Sequence, residues 1–175
     1  MSNSVKIQKT DITKLKTDCV VNAANEELLA GGGVCGAIFR EAGMSKLQAA
    51  CNAIGHCDTG KAVITPGFNL PAKYIIHAVG PIWRGGNHKE PQHLYGAYYS
   101  SLELALSNGC HSIGFPLISA GIFGYPLEEA WRKGIQAVRD FFYNELDADL
   151  QVIFAVLDDH IMSVGENVMK EYFEK

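Results

Sequence analysis

Apolar and polar positions recur along the chain with two different periods. Val5-Lys6-Ile7-Gln8 alternates residue by residue, the pattern of a strand with one buried face. Cys19-Val20-Val21 is a short apolar run that enters Asn22-Ala23-Ala24-Asn25. Residues 61–65, 74–79, 113–118 and 151–157 read as four further strands, the first of them closed by the Pro66-Gly67 turn signal. Helical spacing appears between the strands. Residues 34–42 follow a glycine cluster and stop at Gly43, and 47–54 form a second short helix. Residues 95–106, together with Leu94 just before them, place Leu94, Tyr98, Leu102, Ala105 and Leu106 at helical spacing and end at Asn108-Gly109. Residues 126–143 begin with a proline, favoured in the first helical turn, and 162–173 form the last helix. This alternation predicts an α/β fold: a three-layer α/β/α sandwich with a mixed central sheet of about six strands. No repeat, low-complexity tract or linker interrupts it, so one domain over residues 1–175 is expected.

Composition narrows the partners. The 175 residues are 47% hydrophobic and 19% charged, with a formal net charge of −4. Bulk charge of that sign does not draw the chain to nucleic acid or to an acidic membrane, so neither is an expected partner. An anionic ligand must therefore be held by a local site. No apolar run approaches a membrane span, and the start of the chain lacks the apolar core of a signal peptide, so a cytoplasmic monomer is expected. Five cysteines, an odd number without a CxxC, suggest neither a disulfide framework nor a zinc knuckle. His56-Cys57 and Cys110-His111 lack a second pair at ligand spacing, so no metal and no cofactor is expected.

Two glycine-rich segments stand out. The first runs from Asn22 to Gly36 and contains Gly31-Gly32-Gly33-Val34-Cys35; the second runs Ser119-Ala120-Gly121-Ile122-Phe123-Gly124-Tyr125-Pro126. Each lies between an expected strand and an expected helix. Backbone N–H groups gathered at a helix N-terminus form an anion site, and neither segment contains Lys or Arg. A phosphate bound there would be held by main-chain dipoles. Gly31-x-Gly33-x-x-Gly36 also matches a dinucleotide fingerprint. In that motif, however, the glycines directly follow the first strand; here about nine residues intervene after Val21, and no acidic residue ends a second strand. No Gly-Lys-Ser/Thr occurs, which excludes a Walker A loop.

The chain resembles the macrodomain family over nearly its whole length. The resemblance is carried by Asp11-Ile12-Thr13, Val21 to Asn25, Gly31 to Val34, Gly60 to Gly67, Tyr74 to Pro81 with Trp83, and Phe115 to Pro126, in that order and spacing. It implies binding of ADP-ribose or an ADP-ribosylated protein. It also implies hydrolysis of mono-ADP-ribose from acidic side chains, deacetylation of O-acetyl-ADP-ribose, or both. On the matching positions, Asp11 would accept from the adenine amine, with the Ile12 backbone beside it. Asn25 would hold the distal ribose hydroxyls, and Asn22 would contact the ligand or brace the loop internally. Gly32, Gly33, Val34 and Cys35 would line the distal ribose and phosphate. Ser119, Ala120, Gly121, Ile122 and Phe123 would wrap the diphosphate, with Phe123 on the distal ribose. Asn25, Gly33 and Cys35 are the expected catalytic positions. His77, on an apolar strand, reads as a satisfied core histidine.

The chain departs from the family pattern at three places. Hydrolytic relatives usually carry Asp at the position of Cys35 and His at that of Phe39, the natural groups to activate water. The Gly-Gly-Gly-Val-Cys-Gly run instead resembles the macrodomains of alphavirus replication proteins. The implied route is substrate-assisted, with a phosphate oxygen deprotonating the attacking water. Cys35 near a helix start could act as a thiolate nucleophile, or as a small packing residue. Leu157 stands where many relatives place an aromatic over the adenine. The alternative to catalysis is a module that reads ADP-ribose without turning it over.

Overall fold

A computed structural model describes residues 2–173. Six strands form one sheet: β1 (Ser4–Lys9), β2 (Cys19–Ala24), β3 (Ala62–Pro66), β4 (Tyr74–Val79), β5 (Ser112–Phe115) and β6 (Gln151–Val156). Their order is β1-β6-β5-β2-β4-β3. The first five in that order run parallel, and β3 pairs antiparallel with β4 at the edge, so the sheet is mixed as expected. The helices are α1 (Gly33–Ala42), α2 (Met44–Ile54), α3 (Glu90–Ser107), α4 (Leu127–Asn144) and α5 (Asp159–Phe173).

The period-2 pattern of the strands sorts the core into two halves. Val20, Ala24, Ile75, Val79, Ile153 and Ala155 point to one face and pack with Ile38, Phe39 and Ala42 of α1 and Leu47 and Cys51 of α2. Their chain neighbours Cys19, Val21, Ile76, Ala78, Val152 and Phe154 point to the other face, under α3, α4 and α5. That second half holds the aromatic cluster, with Tyr98, Phe115, Phe154 and Trp131 ring centroids 5.1–6.0 Å apart. Three layers follow from two apolar sheet faces, each needing a cover.

Several boundaries differ from the sequence expectation. Strand β5 stops at Phe115 because Pro116 has no N–H to continue a ladder, so 116–118 are loop. Helix α3 begins at Glu90, five residues before the expected Tyr95, with Pro91 in its first turn. Pro126 caps α4 from outside instead of opening it. Helix α5 starts at Asp159, and Ile161 N–H is bonded to the Asp158 carboxylate.

Candidate functional site

The parallel strands β1, β6, β5 and β2 point their carboxyl ends to one rim, where loops open into helices. A cleft of about 660 Å³ lies there. Its floor is Ala23 and Ala24 at the end of β2, Pro116 and Leu117 after β5, and Ala155 and Val156 at the end of β6. Open α/β sheets bind ligands at this edge. Asp11, Ile12, Asn25, Gly32, Gly33, Val34, Cys35, Ser119, Ala120, Gly121, Ile122, Phe123 and Leu157 all line the cleft. Among the described residues, no Lys or Arg lines it.

The first wall folds on bonds to its own backbone. The Asn25 amide donates to Leu29 O at 2.9 Å and accepts from Leu29 N at 3.0 Å. Leu28 sits at φ 59° inside that turn and is buried. From α2, Gln48 closes the turn by accepting from Ala30 N and donating to Leu28 O, a contact with no local cue in the chain. Helix α1 follows. Only glycine fits at position 36, because a Cβ there would meet Gly31 O at 2.5 Å. The second wall turns at Ser119, which sits at φ 68°, and closes with Tyr125 N bonded to Ser119 O and Gly124 N to Gly121 O, each at 2.9 Å. Beneath it the buried Tyr98 hydroxyl accepts from Ile118 N and donates to Pro116 O.

Asp11 serves the fold and the cleft together. Its Oδ1 accepts from Thr13 N at 3.0 Å and from Thr13 Oγ1 at 2.7 Å, which caps a single 3-10 turn over Ile12–Lys14. The Thr13 hydroxyl first, then its N–H, lowers the Asp11 pKa, so the group is a carboxylate with Oδ2 outside the cap bonds.

Asn22 does not line the cleft. It is buried, and its Nδ2 lies 3.0 Å from His77 Nδ1 across the β2–β4 register. Direct ligand contact, one of the expected roles, is thereby replaced by the bracing role. His77 is fully buried, and its Nε2 lies 3.0 Å from Thr65 Oγ1. Burial pushes the imidazole down to about 4, so it is neutral, a satisfied core histidine as expected.

Cys35 lines the cleft but is nearly covered. Burial raises its thiol above the usual value, and this outweighs the lowering contributed by the Gly31 backbone and the Asn22 side chain. The thiolate that an attack from the α1 N-terminus would need is therefore disfavoured, and the packing role is the one the geometry supports. Phe39 is also absent from the lining. Its ring is buried and faces the His77 ring, with centroids 6.4 Å apart. Position 39 thus points into the core behind the cleft, away from any water inside it.

Among the described residues, two buried side-chain polar atoms have no hydrogen-bond partner: Asn22 Oδ1 and Ser119 Oγ. Ser119 belongs to the second wall itself and Asn22 to the strand that leads into the first, and buried polar atoms are otherwise almost always paired. One group of metal-ligand type exists outside the cleft. Glu26, His56 and Asp58 bring one donor atom each to within 4.8 Å of one another, but the Glu26 carboxylate already accepts Thr59 N and Oγ1. All five cysteines are free thiols, and no helix among the described residues is long and apolar enough to cross a membrane.

The model of the Macro domain family matches residues 21–133. The chain is 45% identical over 175 residues to an O-acetyl-ADP-ribose deacetylase of Citrobacter koseri, covering 98% of each. It is 46% identical over 178 residues to the ADP-ribose glycohydrolase MACROD2 of Xenopus laevis, covering 100% of this chain and 42% of that protein. Among solved structures it resembles the Oceanobacillus iheyensis macrodomain with ADP at 36% identity and a TM-score of 0.91, over 99% of this chain and 96% of the other. With both glycine walls in place and this chain covered almost end to end by these matches, the chain belongs to the macrodomain family.

Proposed function

We propose that this chain is a single macrodomain that binds ADP-ribose and hydrolyses it from its conjugates, mono-ADP-ribosylated acidic side chains or O-acetyl-ADP-ribose. The observation that carries the reading is a cleft with glycine loops on both sides and, among the described residues, no cationic lining side chain. Main-chain N–H groups there can hold a diphosphate, as helix N-termini and nests do. The activities named for the two relatives support the same chemistry.

In this reading Asp11 Oδ2 accepts from the adenine amine, beside Ile12 and Leu157. Gly32, Gly33, Val34, Ser119, Ala120, Gly121 and Ile122 enclose the diphosphate, and Phe123 packs on the distal ribose. The Asn25 amide keeps one N–H and one lone pair beyond its two bonds to Leu29, enough to meet the distal ribose hydroxyls. A water beside the diphosphate attacks the anomeric carbon or the ester carbonyl. It gives its proton to a phosphate oxygen, and the carboxylate or the ribose hydroxyl leaves. The walls contribute orientation, which can lower a barrier by several kcal/mol. This route draws on no side chain at position 39, where Phe39 faces the His77 ring. The partner is an ADP-ribosylated protein, met by a cytoplasmic monomer.

A de-modification assay on an ADP-ribosylated acidic peptide tests the reading. Release of ADP-ribose is expected from the wild type, with loss of release in Asn25→Ala. Binding of ADP-ribose without release by the wild type would instead establish a reader module.

A further inference from the structure

The wall from Ser119 to Tyr125 is held in place by a separate segment. Residues 82–89 run over it as an exposed strap. Trp83 N–H donates to Phe123 O at 2.8 Å, and the Trp83 ring packs on that of Tyr125 with centroids 4.7 Å apart. The strap curls back at Gly86, where φ is 92° and a Cβ would stand 2.9 Å from the Trp83 ring. Its shape is set by Glu90, the first residue of α3 and a buried carboxylate. Glu90 Oε2 accepts from Arg84 N at 2.8 Å and Gly86 N at 2.9 Å, and Oε1 accepts from His88 N. Three alternate N–H groups of one loop thus converge on one side chain.

We propose that Glu90 is a positioning residue for nucleotide binding: its carboxylate fixes the strap, and the strap fixes Phe123 and the diphosphate wall. This rests on the reading of the cleft given above. The group is charged whenever the protein is folded near neutral pH. Burial would raise its pKa, but the surrounding main-chain N–H groups outweigh burial and hold it at about 2. The strap residues Arg84, Gly85, Asn87, His88 and Lys89 are exposed, so a loosened strap leaves the helix and sheet core packed.

The test uses Glu90→Gln and Gly86→Ala. Glutamine keeps one acceptor oxygen but turns an N–H2 toward an N–H donor. Alanine at 86 distorts the strap without touching Glu90, so it serves if Glu90→Gln fails to fold. Calorimetric titration with ADP and with ADP-ribose, well below each melting temperature, should show about tenfold weaker binding of both. Amide hydrogen exchange should speed up at Phe123 to Tyr125 and stay unchanged at Asn25 to Gly36. Wild-type affinity in the folded variants, or exchange that rises equally in both walls, would overturn the proposal. A wild-type protein that binds neither nucleotide overturns the reading of the cleft, and this proposal with it.

Discussion

The two walls of the cleft have the same job and are held by different means. The wall from Asn25 to Gly36 folds on itself: Asn25 clasps Leu29, and Gln48 from the nearby α2 closes the turn. The wall from Ser119 to Tyr125 has two internal backbone bonds and otherwise leans on Tyr98 below and Trp83 outside. Behind the first wall lies a neutral buried histidine; behind the second lies a buried carboxylate at the start of α3. A locally closed turn announces itself in sequence through its Asn and Gly, whereas a turn braced from a distant segment, as Phe123 is by Trp83, does not.

The largest expected effect comes from filling the second wall. A Cβ on Gly121 would have nothing within 4 Å, so Gly121→Glu costs the fold little while placing a bulky carboxylate where phosphate would sit. Calorimetry should show ADP-ribose binding abolished with a near-normal melt. Unchanged affinity would remove this wall from the phosphate site.

Acid should separate the supports of the two walls. The folded-state pKa of His77, about 4, lies below the 6.5 of an unperturbed histidine, so the unfolded chain takes up the extra proton. Stability is full above pH 6.5 and falls as pH drops toward 4, by on the order of 3 kcal/mol at the end of that window. The charge of Glu90, held down at about 2 against 4.5, contributes above pH 4.5 and is lost only below it. Between pH 6.5 and 4.5 the loss therefore belongs to the His77 side, where Asn22, Thr65 and the Cys51 thiol surround the ring. Denaturant melts across that window should slope in the wild type and flatten in His77→Gln; equal slopes would contradict the assignment.

A smaller change is expected at the adenine end. Asp11→Ala removes a charge-assisted acceptor and should weaken ADP-ribose binding by about 1–3 kcal/mol. Because the same side chain caps the Ile12–Lys14 turn, the melt should also drop by about 1 kcal/mol. A lower melt with unchanged affinity would leave Asp11 as a cap alone.

What the sequence made legible follows the range of the forces involved. Six strands and five helices could be read because apolar periodicity is a local property, and Pro66-Gly67 and Asn108-Gly109 punctuate it. The start of α3 could not be placed by the apolar stripe, since its first turn carries Glu90 and Pro91 instead of core residues; the proline was the available signal. The glycine walls were visible as composition. Glu90, Gln48 and the Asn22–His77 pairing were not, because each acts through a partner distant in the chain. The burial of Cys35 and the inward aim of Phe39 likewise depend on the stripe that α1 turns to the sheet.

Main-chain amides that hold a diphosphate between two glycine walls would be seen directly in a crystal of the ADP-ribose complex. Phosphate oxygens should lie within about 3 Å of backbone nitrogens from both walls, with no lysine or arginine side chain touching them. A nucleotide bound outside the cleft, or one whose phosphates are met by side-chain cations, would contradict it.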